Sequence, residues 1–309
     1  MNKEIVVNLN ELDTYLRKIY QVFPALEILD KNIKHDNIVS YYRHSSIIYK
    51  YIHSYRGAVH MALNYNGTFD KEGFYTQLNE IIRLINVSTV KNVLELGAGK
   101  GFNSIYLANK LPETQFSGID ITDEHLKIAN RKSRHIKNLN FTYGDFHQLN
   151  YAAASFDLIF DLEAICHAQD SRKVLSEVFR VLKKGGQFVV YDGFREKDFD
   201  SLPDNLVQAS IMTEKALAVN HFEKIDVWMD MAYQEGFKLK FKKNLSNAIM
   251  PNLGRLQLLA RKYFEMPFLT NIFLKICPGY TTPNCIAVML MPFTMHHKAH
   301  GYYNVVLEK

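Results

Sequence analysis

Acids, glycines and imidazoles recur in this chain at spacings that could bind a nucleotide-like ligand and move a proton beside it. The densest motif is Glu95-x-Gly97-x-Gly99-x-Gly101, running on from the apolar residues Val93, Leu94 and Leu96. A strand that ends in alternate glycines and enters a helix makes a tight turn. Glycine lets the backbone fold back and lets a ligand approach the main chain. The unpaired N–H groups of the helix start then face that ligand. Asp120 closes a second strand-like run, Gln115 to Ile121. It lies about 20 residues past the glycines, where an acid can accept both hydroxyls of a ribose. Asp145 follows a third such run, Leu139 to Gly144, and Asp161 lies in a fourth, Phe156 to Leu162. Just beyond stand Glu163 and His167, a carboxylate and an imidazole that could stabilise positive charge and take a proton. Upstream, residues 38–65 hold Tyr41, Tyr42, Tyr49, Tyr51, Tyr55 and Tyr65 with His44, His53 and His60. So many electron-rich rings suit a site where positive charge develops and water is kept out.

The elements that must position these residues follow from hydrophobic periodicity. Leu12, Leu16, Ile19, Tyr20 and Phe23 recur at helical spacing until Pro24. The Tyr- and His-rich segment precedes the core, so it can fold over the ligand mouth. Gly73 to Asn86 reads as the leading helix of the core, with Leu78, Ile81, Ile82 and Ile85 on one face. The core runs on to Asp192, and its fifth strand follows the glycine pair Gly185-Gly186. His221 to Gly236 reads as a helix with Ile225, Trp228, Met229, Ala232 and Tyr233 inward, and Phe237 to Phe241 alternates as a strand. Leu245 to Pro283 reads as a helical insertion, apolar but dotted with Arg255, Arg261, Lys262 and Lys275. A lid over the substrate is the preferred reading, and contact with a membrane surface is the other. Asn284 to His300 reads as a helix and Tyr302 to Leu307 as the last strand. The expected organisation is an N-terminal helical cap over 1–72 and a catalytic domain over 73–309, with the lid at about 245–283.

Composition narrows the function classes. The chain has 309 residues, a hydrophobic fraction of 47% and a formal charge of +5. That excess is too small and too dispersed to imply nucleic acid. Lys238, Lys240, Lys242 and Lys243 form the densest basic cluster and read as the solvated side of a strand. Three cysteines, Cys166, Cys277 and Cys285, are odd in number and lack metal spacing, which points to a reducing, cytoplasmic setting. No signal core and no membrane-spanning run is expected. His296, His297 and His300 invite a metal, but without a neighbouring carboxylate they read as a solvated helix end, so no metal is expected.

The glycine motif departs from the dinucleotide fingerprint, whose last small residue is here Phe102. It resembles motif I of the class I S-adenosylmethionine (SAM)-dependent methyltransferases. Arg180-Val181-Leu182-Lys183-Lys184-Gly185-Gly186 resembles that family's "RVLKPGG" segment. The resemblance implies a Rossmann-like α/β fold with a seven-stranded, mostly parallel sheet and helices on both faces. It implies SAM as cofactor. Glu95, Gly97, Gly99 and Gly101 would serve the methionine end, Asp120 the ribose and Asp145 the adenine amino group, with Ile121, Phe146 and Asp161 also in the cofactor-binding set. Asp161-Leu162-Glu163-Ala164-Ile165-Cys166-His167-Ala168 is similar to the "IEATCHAP" segment of the sterol C-24 methyltransferases, with Ile165 for threonine. Their aromatic "YEYGWGxSFHF" segment survives less well: His60 remains, but Tyr55 and Arg56 replace tryptophan and glycine. The resemblance thus implies methyl transfer from SAM to carbon of a small apolar or amphipathic acceptor, an isoprenoid or sterol-like lipid. Glu163 is expected to stabilise charge and His167 to act as base, with Tyr51 and His60 beside them. An N- or O-methyltransferase of a small metabolite is the alternative enzyme, and a non-catalytic SAM- or lipid-binding module the alternative outside the enzymes. A homodimer and weak contact with a membrane surface stay open.

Overall fold

The computed structural model describes residues 5–22, 29, 32–48, 53–54, 56–85, 88–265 and 281–309. One seven-stranded sheet organises them. Its strands are β1 (Asn92–Leu96), β2 (Gln115–Asp120), β3 (Leu139–Tyr143), β4 (Phe156–Leu162), β5 (Leu182–Arg195), β6 (Lys238–Asn244) and β7 (His300–Glu308). Their order is β3-β2-β1-β4-β5-β7-β6. The first five pair in parallel, and β7 runs antiparallel between β5 and β6. Strand order reverses between β1 and β4. That switch point opens a crevice at the carboxyl ends of the strands, where open α/β sheets bind ligands.

Both faces of the sheet are covered. Val93, Phe116, Leu158, Phe160 and Val189 pack on one face with α3 (Thr76–Leu84), α4 (Phe102–Lys110) and α9 (Ser246–Phe264). Leu94, Leu96, Ile159, Phe188 and Val190 pack on the other with α6 (Ser171–Val181) and α8 (Ile225–Glu235). The near-continuous apolar runs of β1, β4 and β5 reflect this two-sided burial. On α8, Tyr233 is 45% exposed rather than inward, while Ile225, Trp228, Met229 and Ala232 are buried as expected. Strand β6 is exposed throughout, and Leu239 and Phe241 with it. It is the sheet's edge, and its four lysines keep another chain from pairing with that edge.

A third cluster corrects two expectations. Leu12, Leu16 and Ile19 of α1 (Leu9–Val22) are buried with Leu206 and Met212 of α7 (Asp204–Ala216), with Ala260 and Phe264 of α9, and with Ile286, Leu290 and Phe293 of α10 (Thr281–His296). The first helix is thus part of a helical layer that later elements complete. Helix α9 is equally a core element: Ile249, Leu253 and Leu256 are buried under the sheet. Residues 246–264 of the expected lid thus pack into the core, and 266–280 lie outside the described residues. Pro251 stands in the first turns of α9 and does not end it. No helix among the described residues is long and apolar enough to cross a membrane.

The histidine cluster also differs from its reading. The ring of His297 reaches the carbonyl of Val7 at 2.6 Å. His300 is buried, with Nε2 3.2 Å from Glu214, so a carboxylate does stand beside it. Glu214 holds Arg195 as well, at 2.6 and 2.7 Å. This buried charge cluster joins the end of β5, helix α7 and the start of β7.

Candidate active site

A cavity of about 460 Å³ lies at the switch point, within the range of small-molecule sites. The turn after β1 forms its floor. Gly97, Gly99 and Gly101 have φ of +66°, +52° and +80°, a left-handed backbone that disfavours side chains. A Cβ on Gly97 would sit 2.3 Å from that of Ala164. One on Gly99 would meet nothing within 4 Å, because that residue faces the cavity. The turn is pinned from β2: Asp120 Oδ2 accepts the Gly99 N–H at 2.8 Å, and Oδ1 accepts that of Thr122 at 2.7 Å. Asp120, Ile121, Asp145 and Phe146 all line the cavity. Asp145 accepts from both the backbone N–H and the ring of His147, at 2.9 and 2.6 Å. Burial alone would raise the Asp145 carboxyl, but these bonds outweigh it and hold it below its ordinary range. His147 Nε2 accepts the Gln169 N–H at 3.0 Å, so its ring proton sits on Nδ1 and points at Asp145.

The far side of the cavity follows β4. Glu163 has φ +58°, a strained conformation for a residue with a side chain. Its carboxylate accepts the Met61 N–H at 2.6 Å and the Tyr302 hydroxyl at 2.8 Å. Burial raises its pKa to about 8 despite those bonds. His167 follows in a short 3₁₀ turn, Ile165–His167. Its Nδ1 reaches the Ala218 carbonyl at 3.1 Å, so it donates there, and Nε2 accepts the hydroxyl of Tyr42 at 2.8 Å. Burial lowers His167 to about 4, so it stays a neutral acceptor. His60 also lines the cavity, and its Nε2 donates to the Phe74 carbonyl at 2.9 Å.

Comparison with known proteins now bears on this geometry. The methyltransferase domain family matches residues 88–244, half of the chain. The chain belongs to this methyltransferase family. Among curated relatives, sterol 24-C-methyltransferase of Debaryomyces hansenii is 23% identical over 222 residues, which are 71% of this chain and 58% of that protein. The chain thus spans a little over half the length of that relative. Among solved structures, the cyclopropane synthase MmaA2 of Mycobacterium tuberculosis superposes with a TM-score of 0.73 at 11% identity, covering 91% of this chain and 100% of the other. The geranyl diphosphate C-methyltransferase of Streptomyces coelicolor A3(2), in complex with Mg2+, geranyl diphosphate and S-adenosyl-L-homocysteine, gives a TM-score of 0.60 at 11% identity, covering 94% and 97%. These likenesses show the fold.

The cavity gathers Gly97, Gly99, Asp120, Ile121, Asp145, Phe146, Glu163 and His167 of the methyltransferase domain, with His60 from ahead of it, out of the set expected from the sequence. Gly101 stands one step back, shaping the helix start. Two predicted contacts lie behind the wall instead. Glu95 is buried and accepts from Asn103 Nδ2 at 2.8 Å and from the backbone and hydroxyl of Ser104. Burial raises it to about 7. Its role is to hold the first turn of α4, and Asn103, not Glu95, faces the cavity. Asp161 is fully buried and caps the turn at Ala164 and Ile165. Burial and the neighbouring Asp192 carboxyl raise it well above its ordinary value. Tyr51 lies outside the described residues. The sequence reading missed Tyr42 as His167's partner, His125, His147 and Asn103. Of these, only His147 carried a local signal, standing two residues past Asp145.

Proposed function

We propose that this chain transfers the methyl group of SAM to carbon of a small, largely apolar acceptor of the isoprenoid or sterol type. The observation that carries the reading is one continuous cavity whose lining combines two kinds of chemistry. The glycine turn with Asp120 and Asp145 suits a nucleoside, and Tyr42, His60, Leu162, Glu163 and His167 add aromatic, apolar and ionisable groups to the same lining. The residues present fit the cofactor. Asp120 is bonded through each oxygen to the backbone and keeps lone pairs for a ribose. Asn103 turns Nδ2 to Glu95, while its Oδ1 is buried with no partner. A buried acceptor at a cavity wall is costly unless a ligand donor meets it, and the methionine ammonium is such a donor. SAM supplies a methyl on a sulfonium, open to in-line displacement.

Attack by an alkene leaves a cation and a proton to remove, and the two polar groups differ in fitness for that task. His167 spends Nε2 on Tyr42 and is lowered to about 4, which makes it a poor base. Glu163 is raised to about 8, so once ionised it holds a proton well and also faces developing positive charge. We therefore assign Glu163 as charge stabiliser and base, and the Tyr42–His167 pair as the group that orients the acceptor and excludes water. The sequence-based reading gave the base to His167; the change rests on its occupied nitrogen. The sterol 24-C-methyltransferase and the geranyl diphosphate C-methyltransferase act, by name, at carbon, which supports a carbon acceptor here. The test is a screen of methyl-labelled SAM against isoprenoid and sterol acceptors, with product NMR. A new methyl on a carbon framework is the expected result, and a methyl on nitrogen or oxygen would move the reading to a small-metabolite N- or O-methyltransferase.

A further inference from the structure

The loop at 217–220 caps the end of α7, its N–H groups meeting the carbonyls of Thr213, Glu214 and Lys215, and its remaining polar groups reach toward the cavity. Ala218 has φ +59°, a left-handed backbone at a residue with a side chain, and its carbonyl is the one that orients His167. Two residues on, Asn220 makes four side-chain bonds. Its Oδ1 accepts the Ile33 N–H at 2.7 Å and Lys215 Nζ at 3.3 Å. Its Nδ2 donates to the Ile33 carbonyl at 2.7 Å and to Gln169 Oε1 at 3.1 Å. A side-chain amide that pairs with both backbone groups of one distant residue acts as an added strand, and here it holds a segment 187 positions away.

That segment leads into α2 (His35–Ile48), which carries Ile38 and Tyr42 into the cavity. Side-chain contacts along α2 tie it to the body as well: Arg43 pairs with Glu124 at 2.8 Å and Ser45 Oγ accepts Asn284 Nδ2 at 2.8 Å. Ile33, Ile38, Tyr41 and Ala218 form a small buried cluster of their own, with Tyr42 and Ile121 against it. Tyr41 adds a hydroxyl bond to Asn284 at 2.8 Å. The same loop therefore sets both partners of the Tyr42–His167 pair, His167 through Ala218 and Tyr42 through Asn220. Through Gln169 it also touches His147, the residue that orients Asp145.

We propose that Asn220 is a positioning residue for methyl transfer: it latches α2 over the cavity so that Tyr42 meets His167 at the acceptor face. This rests on the reading of the cavity as a SAM-dependent active site. Held by side-chain contacts rather than by a continuous backbone ladder, α2 opens more easily than the sheet, and release of the Asn220 latch lets ligands in and out.

The experiment uses the full chain and has two parts. Hydrogen–deuterium exchange without ligand compares the wild type with Asn220→Ala and with Asn220→Asp, which keeps the acceptor atoms and loses the donors. Exchange over 33–48 should quicken by about tenfold or more in the alanine variant and by less in the aspartate variant, with β1, β4 and β5 unchanged. Equal exchange over 33–48 in all three proteins overturns the latch. Kinetics then compare Asn220→Ala, Tyr42→Phe and the double variant. Each single change should lower kcat by about tenfold with KM for SAM within about threefold, and the double variant should lose no more than the worse single one. Additive losses, or a rise in KM alone, would make Asn220 merely structural. Absence of methyl transfer by the wild type would remove the functional reading, while exchange over 33–48 would still decide the latch.

Discussion

Replacing Glu163 by glutamine isolates the chemistry from the packing. The amide keeps an oxygen to accept the Met61 N–H and the Tyr302 hydroxyl, now 2.6 and 2.8 Å from the carboxylate. It cannot take a proton and carries no charge to face a cation. General base catalysis contributes about 10²–10⁴ in rate, or about 3–5 kcal/mol of barrier. The expected outcome of E163Q is therefore a kcat lowered by about 10²–10⁴, with affinity for S-adenosylhomocysteine kept within about threefold. Alanine at the same place does something else. It strands the Met61 N–H and the Tyr302 hydroxyl, each costing about 1–3 kcal/mol when buried without a partner. E163A should thus lose stability as well as rate, whereas E163Q should melt close to the wild type. The pH profile adds an independent check. Burial holds Glu163 at about 8, so kcat/KM of the wild type should rise with pH through the neutral range as the carboxyl ionises, and E163Q should lose that rise. Single-turnover transfer of labelled methyl, calorimetry and thermal melts read the three quantities. A glutamine variant with wild-type kcat, or one that fails only by losing SAM affinity, would refute the assignment.

Other expectations follow from the same geometry. Asp120→Ala removes the acceptor of the Gly99 and Thr122 N–H groups along with any ribose contact, and SAM affinity should fall by about 10- to 100-fold in calorimetry; unchanged affinity, or tighter NAD than SAM, would remove the cofactor assignment. Gly97→Ala and Gly99→Ala should part company: the first collides with Ala164 and should lower the melting temperature by several degrees, while the second meets no protein atom and should lose cofactor affinity with a smaller loss of stability. Glu95 and Glu163 are both held above the ordinary carboxylate value of 4.5, at about 7 and about 8. Their protonated forms favour the fold, so this contribution is whole below pH 4.5 and is lost as pH rises through those values. The ligand-free protein should therefore melt lower at about pH 8.5 than at about pH 7 by calorimetry, a window above the titration of unfolded histidine in which the buried neutral His53, His60 and His167 oppose the trend little, and a melting temperature that rises over it would contradict the burial of both acids.

Local chemistry was enough to read part of this protein. The β1 turn was legible because three alternate glycines after an apolar run admit few other backbones, and Asp120 because an acid at the end of the next strand has a set distance from that turn. The mostly parallel sheet came with the resemblance to the family, and the strand order with its switch point between β1 and β4 only with the structure. What the chain alone did not carry is pairing between distant residues. Glu95 and Asp161 share the sequence signature of ligand contacts, yet each turns its carboxyl to backbone or side chains behind the cavity. Helix α9 has the amphipathic pattern of a lid and of a core helix alike, and only the sheet and α10 beside it made it core. Tyr42 was one of six tyrosines until α2 brought it 2.8 Å from His167. Asn220 has no motif at all, because its meaning lies in Ile33, a residue the chain reaches only after folding. Short-range geometry is written in residue type and spacing; which buried polar group meets which partner is decided when burial makes an unpaired group costly.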